Sequence, residues 1–258
     1  MTSVAALAGL LLQMAQNPSP MSDTTRAHGR VVERSVAGRV HGRAVTFGKT
    51  NAKSPVILHF HGAPWLVRQE AARRLKNVTV AAIQTGSGSR VYREAFATRK
   101  AFEALLAEAE AANRPVILTS FSAGYGAVRA ILEHSAGRID GVVLIDSLHA
   151  GYDTERKPAS ADLELFAAFG EKKPLVITHS EVYPGTYAST TETADWLIAR
   201  AGARRKAVLR WGPGGMQQIS EARRGNLRVL GFAGNSAPDH VDQLHGYATW
   251  LRHVKIKR

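Results

Sequence analysis

Six short apolar runs recur along the chain and do most to limit its fold: PVILHF (55–60), VTVAAIQ (78–84), PVILTS (115–120), GVVLID (141–146), PLVITHS (174–180) and LRVLGFAG (227–234). Runs this short and nearly unbroken have no polar face to give to water. They read as strands covered on both sides, which is the condition of a parallel sheet. Helical stretches alternate with them: WLVRQEAARRLKN, YREAFATRKAFEALLAEAEAANR, residues 123–134, ADLELFAAFG, TTETADWLIARAG and VDQLHGYATWLRHV. Pro115 stops the second of these, and GSGS (86–89) breaks the pattern before it. Ahead of the series, RVVERSVAGRVHGRAVTFGKT (30–50) suggests two strands joined at a glycine-bearing turn. The expectation is an α/β fold, with a mostly parallel central sheet and helices on both faces. No internal repeat or long low-complexity linker interrupts it, so residues 21–258 are read as one domain.

Composition narrows the chemistry. The chain has no cysteine, which removes disulfides, thiolate metal sites and a cysteine nucleophile. A net charge of +13 invites a nucleic-acid reading. The lysines and arginines are dispersed, however, with only short pairs such as Arg73-Arg74, Arg204-Arg205 and Arg223-Arg224. Without a basic helix, zinc-finger spacing or interleaved aromatic platform, no nucleic-acid partner is expected. Residues 1–20 (MTSVAALAGLLLQMAQNPSP) hold an apolar run of signal-peptide length and then a polar, proline-bearing stretch. They are read as a signal peptide or a disordered leader, implying a secreted or periplasmic protein in the first case and a cytoplasmic one otherwise. The run is too short to span a bilayer, so no integral membrane segment is expected.

The most informative corner is VILTSFSAGYGAVRAIL (116–132), where a strand ends and a helix begins. In open α/β sheets ligands sit beyond the carboxyl ends of the strands. Ser120-Phe121-Ser122-Ala123-Gly124 fits the nucleophile-elbow pattern G-x-S-x-G with serine in place of the first glycine. A nucleophile there holds a strained backbone, and the residues two before and two after it approach closely, so both must be small. Ser122 is the candidate nucleophile and Ser120 a permissive neighbour. The same letters would also serve as a plain helix start with a serine cap.

About sixty residues earlier, PVILHFHGAPW places His61-Gly62 at the end of a strand. With the elbow, this order resembles the α/β-hydrolase family, which has an HG motif after its third strand and an elbow after its fifth. The likeness covers roughly residues 30 to 254 and rests on motif order. It implies an oxyanion hole from the backbone N–H groups of Ala63 and Ala123; Pro64 has no N–H to give. It also implies the order serine, acid, histidine. The acid usual after the seventh strand is missing, since Tyr183 stands at its expected position and Glu181 is two places early. Asp146, directly after GVVLI, is preferred, with Glu181 the alternate. For the base, His240 is preferred over His245, which falls deeper in the final helix. His61, Trp65, His149, His179 and Tyr183 are candidate pocket residues, or else interior packing. No metal is expected, because no H-E-x-x-H-like spacing accompanies the histidines.

These readings together describe a serine hydrolase acting on carboxylic esters through an acyl-enzyme, with no cofactor and a small ester-like molecule as partner. Amide, peptide and thioester bonds use the same apparatus. A catalytically silent scaffold that binds a ligand or partner is the alternative from another class. The segment between GVVLID and PLVITHS is too short for a large cap domain, so an open cleft is expected.

Overall fold

The computed structural model describes residues 32–36 and 41–254; the candidate leader, residues 1–20, lies outside them. The strands are β1 (Val32–Val36), β2 (His41–Phe47), β3 (Val56–Phe60), β4 (Val78–Gln84), β5 (Val116–Phe121), β6 (Gly141–Ile145), β7 (Leu175–His179), β8 (Lys206–Trp211), β9 (Gln217–Arg224) and β10 (Leu227–Phe232). The helices are α1 (Pro64–Arg74), α2 (Ser89–Ala95), α3 (Arg99–Glu108), α4 (Tyr125–Ser135), α5 (Ser160–Lys172), α6 (Thr190–Arg200), α7 (Ala237–His245) and α8 (Tyr247–Leu251). No described helix is long and apolar enough to cross a membrane.

The described strands form one sheet in the order β1-β2-β4-β3-β5-β6-β7-β10-β9-β8. From β4 to β10 every neighbouring pair is parallel. Antiparallel strands finish both margins, β1 and β2 on one side and β9 and β8 on the other. Alternate residues of the parallel strands enter two separate cores. Val56, Leu58 and Phe60 of β3 pack with residues of α2 to α6. Ile57 of the same strand packs with residues of α1, α7 and α8. This two-sided burial is why the apolar runs carry no polar alternation. The order reverses at β3, whose neighbours are β4 and β5. A crevice opens at such a switch point, beyond the carboxyl ends of the two strands.

Three features depart from the sequence reading. The stretch 92–114 is two helices rather than one, because the chain breaks at Phe96 and Thr98 caps α3 by accepting from Ala101 N at 3.3 Å. The final helix begins earlier than expected, at Ala237, behind a Ser236–Asp239 capping box, and is interrupted at Gly246. A Cβ at Gly246 would collide with the Trp250 ring. Strands β8 and β9 were not anticipated at all. β8 is almost wholly exposed, so it lacks the apolar signal that marks the others. Between β6 and β7 the chain forms a loop and α5, whose Leu163, Phe166 and Phe169 pack into the sheet core. No separate cap domain stands there among the described residues.

Candidate active site

The candidate site is built from strand ends. Ser122 follows β5 at the start of a 3₁₀ turn that leads into α4. Its φ is 48°, a left-handed conformation that costs a non-glycine residue about 1–2 kcal/mol. Asp146, just past β6, has φ 43°, and His61, just past β3, has φ 69°. Strain of this kind persists only where the surroundings over-determine it, and here it sits at three neighbouring strand ends. Packing around the turn explains the small residues. A Cβ on Gly124 would fall on the Phe60 carbonyl, and one on Gly126 on the Ser89 carbonyl. The serine at 120 is accommodated by a polar partner. Its buried hydroxyl donates to Ser147 Oγ at 2.7 Å, and Ser147 Oγ donates to Ser122 O at 2.8 Å.

Asp146 is buried, and its carboxylate is held from several sides. Oδ1 accepts from Ser180 N at 2.9 Å and Thr190 Oγ1 at 2.5 Å. Oδ2 accepts from Ser180 Oγ at 2.5 Å and from His240 Nδ1 at 2.7 Å. Burial alone would raise its pKa. The His240 charge and the hydrogen bonds from His240, Ser180 and Thr190 outweigh burial and hold the carboxyl well below the usual carboxylate range. His240 lies in the first turn of α7, buried, with its ring stacked on Phe121 at 4.4 Å between centroids. Since Nδ1 faces Asp146, Nε2 is the other available ring atom, and it has no hydrogen-bond partner. No hydrogen bond joins Ser122 to His240 among the described residues; such contacts often tighten only when substrate binds.

The loop after β3 is clamped from below. Gln84 Nε2 donates to Gly62 O at 3.0 Å, while Gln84 Oε1 accepts from the Tyr92 hydroxyl at 2.5 Å. The same hydroxyl lies 3.0 Å from His61 Nδ1. Burial pushes the Tyr92 phenol up to about 12, so it stays a donor at neutral pH. Burial, and secondarily His240, bring His61 down to about 4, leaving it neutral. Ala63, buried, begins α1 beside this clamp, and Ala123 follows Ser122.

The remaining candidates separate. Glu181 is exposed, and its Oε2 accepts from Gly234 N at 3.2 Å rather than meeting a histidine. His245, on the same helix as His240, lies 3.9 Å from Glu70 of α1, too far for a hydrogen bond. His179 is buried between Thr191 Oγ1 at 3.0 Å and Arg205 Nη1 at 2.9 Å. Burial and Arg205 lower it to about 4. His149 is partly buried, packed edge-on to Tyr187 at 5.0 Å and tilted against Tyr125 at 5.7 Å. Burial lowers it to about 4 as well. Trp65 is partly buried against the core under α1, and Tyr183 is 61% exposed. No group of three or more His, Asp or Glu among the described residues is arranged to hold a metal ion.

Sequence reasoning missed the residues that hold this site: Ser147, Ser180, Thr190, Gln84 and Tyr92. Ser180 was within reach, because PLVITHS ends level with GVVLID once the two runs are taken as neighbours. Thr190 comes from a helix forty-four residues away in sequence, and no local pattern announces it.

No family model and no curated protein matches the sequence. Solved structures do match. The thioesterase domain from the curacin biosynthetic pathway aligns with 86% of this chain and 98% of its own, at 11% identity and a TM-score of 0.51. A serine hydrolase from the polyaromatic-hydrocarbon-degrading bacterium Cycloclasticus zankles aligns with 86% of this chain and 97% of its own, at 11% identity and a TM-score of 0.50. The chain has the α/β-hydrolase fold. Within an α/β-hydrolase fold, the carboxyl ends of β3, β5 and β6 are where this protein collects His61, Ser122 and Asp146.

Proposed function

We propose that the protein is a serine hydrolase that cleaves carboxylic esters through an acyl-enzyme. What carries the reading is the buried 2.7 Å hydrogen bond between Asp146 and His240, which leaves His240 Nε2 unpaired at the rim where Ser122 sits in its strained turn. Ser122 Oγ attacks the ester carbonyl while His240 Nε2 takes its proton. Asp146 keeps the imidazole in the tautomer with Nδ1–H and stabilises the imidazolium that forms. The oxyanion is held by the N–H groups of Ala63 and Ala123, each such donor being worth about 3–4 kcal/mol. The imidazolium returns its proton to the departing alkoxide, and the alcohol leaves. Water then attacks the acyl-enzyme, giving its proton to His240; collapse of the second tetrahedral intermediate returns that proton to Ser122 and frees the acid.

The Gln84–Tyr92 clamp keeps the Ala63 loop fixed, so its N–H needs little reorganisation during the reaction. Tyr125, His149 and Tyr187 supply an aromatic wall beside the elbow helix. With no cap domain over the strand ends among the described residues, the site suits extended acyl or alcohol groups. One structural neighbour is named a thioesterase, and thioesters require the same relay, so the bond type is an experimental matter. Turnover of matched p-nitrophenyl ester, thioester and anilide substrates tests the proposal. Ester cleavage lost in Ser122→Ala supports it, and cleavage that persists in Ser122→Ala refutes it.

A further inference from the structure

Basic residues that are scattered in sequence converge at the opposite end of the sheet. A cleft of about 580 Å³ lies at the amino ends of β6, β7 and β10, lined by Lys172, Arg223, Arg228, Arg252 and His253 among others. It stands a full strand length, about 15 Å or more, from the Ser122 crevice.

Arg223 of β9 and Arg228 of β10 are direct cross-strand partners in this sheet. Like charges placed so are mutually destabilising. Arg228 is partly buried, and burial together with Arg223 and Arg210 makes its charged form harder to hold. The nearby carboxylate of Glu221 is already engaged by Arg210. Asp140, at the cleft edge, accepts from Val116 N at 2.8 Å. Lys173 is spent on the carbonyls of Ala136, Gly137 and Ile139. Lys172, Arg223, Arg228 and Arg252 make no hydrogen bond or ion pair among the described residues.

We propose that this cleft binds a small polyanion carrying two or more phosphoryl groups. Four cations left unpaired among the described residues exceed what one carboxylate or one phosphate neutralises, and the cleft has room for a chain of phosphoryl groups. The guanidinium forks of Arg223, Arg228 and Arg252 suit bidentate contact with phosphate oxygens. Burial and the surrounding arginines lower His253 to about 4, so it meets the ligand as a neutral imidazole. A bound polyanion reverses the local field, and the pKa of His253 then rises.

The test is calorimetric titration of the full chain with tripolyphosphate, a nucleoside triphosphate and orthophosphate. One tripolyphosphate is expected to bind per chain, more tightly than orthophosphate and less tightly as salt rises. Binding weakens at least tenfold in Arg228→Gln/Arg252→Gln but not in the charge-matched control Lys53→Gln/Lys100→Gln. Ester turnover is unchanged in both, which separates this proposal from the one for Ser122. A nucleoside triphosphate binding no tighter than tripolyphosphate marks the phosphoryl chain as the whole ligand; tighter binding adds a nucleoside to the same site. Without ligand, Arg223→Gln melts at or above the wild-type temperature, and below it once tripolyphosphate saturates the wild type. His253 ring resonances titrate at higher pH in the bound protein. The proposal is overturned by absence of saturable binding at millimolar tripolyphosphate or by equal affinity in the double variant. It is also overturned if only duplex DNA or anionic lipid vesicles bind, or if Arg223→Gln melts lower without ligand.

Discussion

Helix α7 presents two buried imidazoles to two buried carboxylates, and the two pairs are not alike. His240 meets Asp146 at 2.7 Å, while His245 stands 3.9 Å from Glu70. The difference begins in the backbone. Asp146 sits at the end of a central strand in a left-handed conformation, where Ser180 and Thr190 reach it from β7 and α6. Burial works against its charge; the His240 charge and hydrogen bond, joined by the hydroxyls of Ser180 and Thr190, hold the carboxyl ionised. Glu70 projects from a helix surface into the layer between α1 and α7, where His245 does not come within bonding distance. Burial beside a carboxylate therefore does not by itself bring an imidazole into hydrogen-bond contact with it.

The largest expected effect breaks the comparison directly. His240→Ala lowers ester turnover by roughly 10⁴-fold or more, whereas His245→Ala changes it only a few-fold. Comparable losses in both variants would erase the distinction. On the acid side, Asp146→Asn is expected to cost roughly 10⁴-fold by fixing the wrong tautomer, with Glu70→Gln and Glu181→Gln mild. A crippling Glu181→Gln beside a mild Asp146→Asn would transfer the acid role to Glu181.

A sharper test leaves the pair intact and removes its support. Ser180→Ala combined with Thr190→Val deletes two hydroxyl donors to the Asp146 carboxylate. Hydrogen bonds to a charged group are worth about 1.5–3 kcal/mol, so a loss of about ten- to a hundredfold in kcat is expected. The Asp146 pKa rises as well, because the charged form loses its donors.

Stability supplies the smallest and most quantitative contrast. Asp146 is depressed in the folded state, so its contribution is present above the unfolded carboxyl value near 3.9 and is lost as pH falls through the lower folded value. The stability gap between wild type and Asp146→Asn, measured by denaturant unfolding, is expected to hold from pH 7 to about pH 5 and to shrink below about pH 4. A gap that is flat into strong acid would mean that the carboxyl is not depressed.

Much of this was legible in the chain itself. Six apolar runs revealed the parallel strands because two-sided burial removes polar alternation, and the small residues around Ser122 pointed to a tight strand-to-helix corner. Strand β8 escaped because its side chains face solvent and leave no periodic mark. The supports of Asp146 escaped for another reason. Ser180 and Thr190 are ordinary hydroxyl residues whose importance comes only from strand register and from a helix folding back across β7. The basic cleft is similar, since Arg223 and Arg228 read as scattered charge until the β9–β10 pairing sets them face to face.

The proposed chemistry requires Ser122 to be a nucleophile activated through His240. Incubation with a fluorophosphonate probe, followed by peptide mapping, measures this most directly. The prediction is a single adduct on Ser122, formed rapidly in the wild type and in His245→Ala but barely in His240→Ala. An adduct on another residue, or labelling of Ser122 at the same rate without His240, would contradict it.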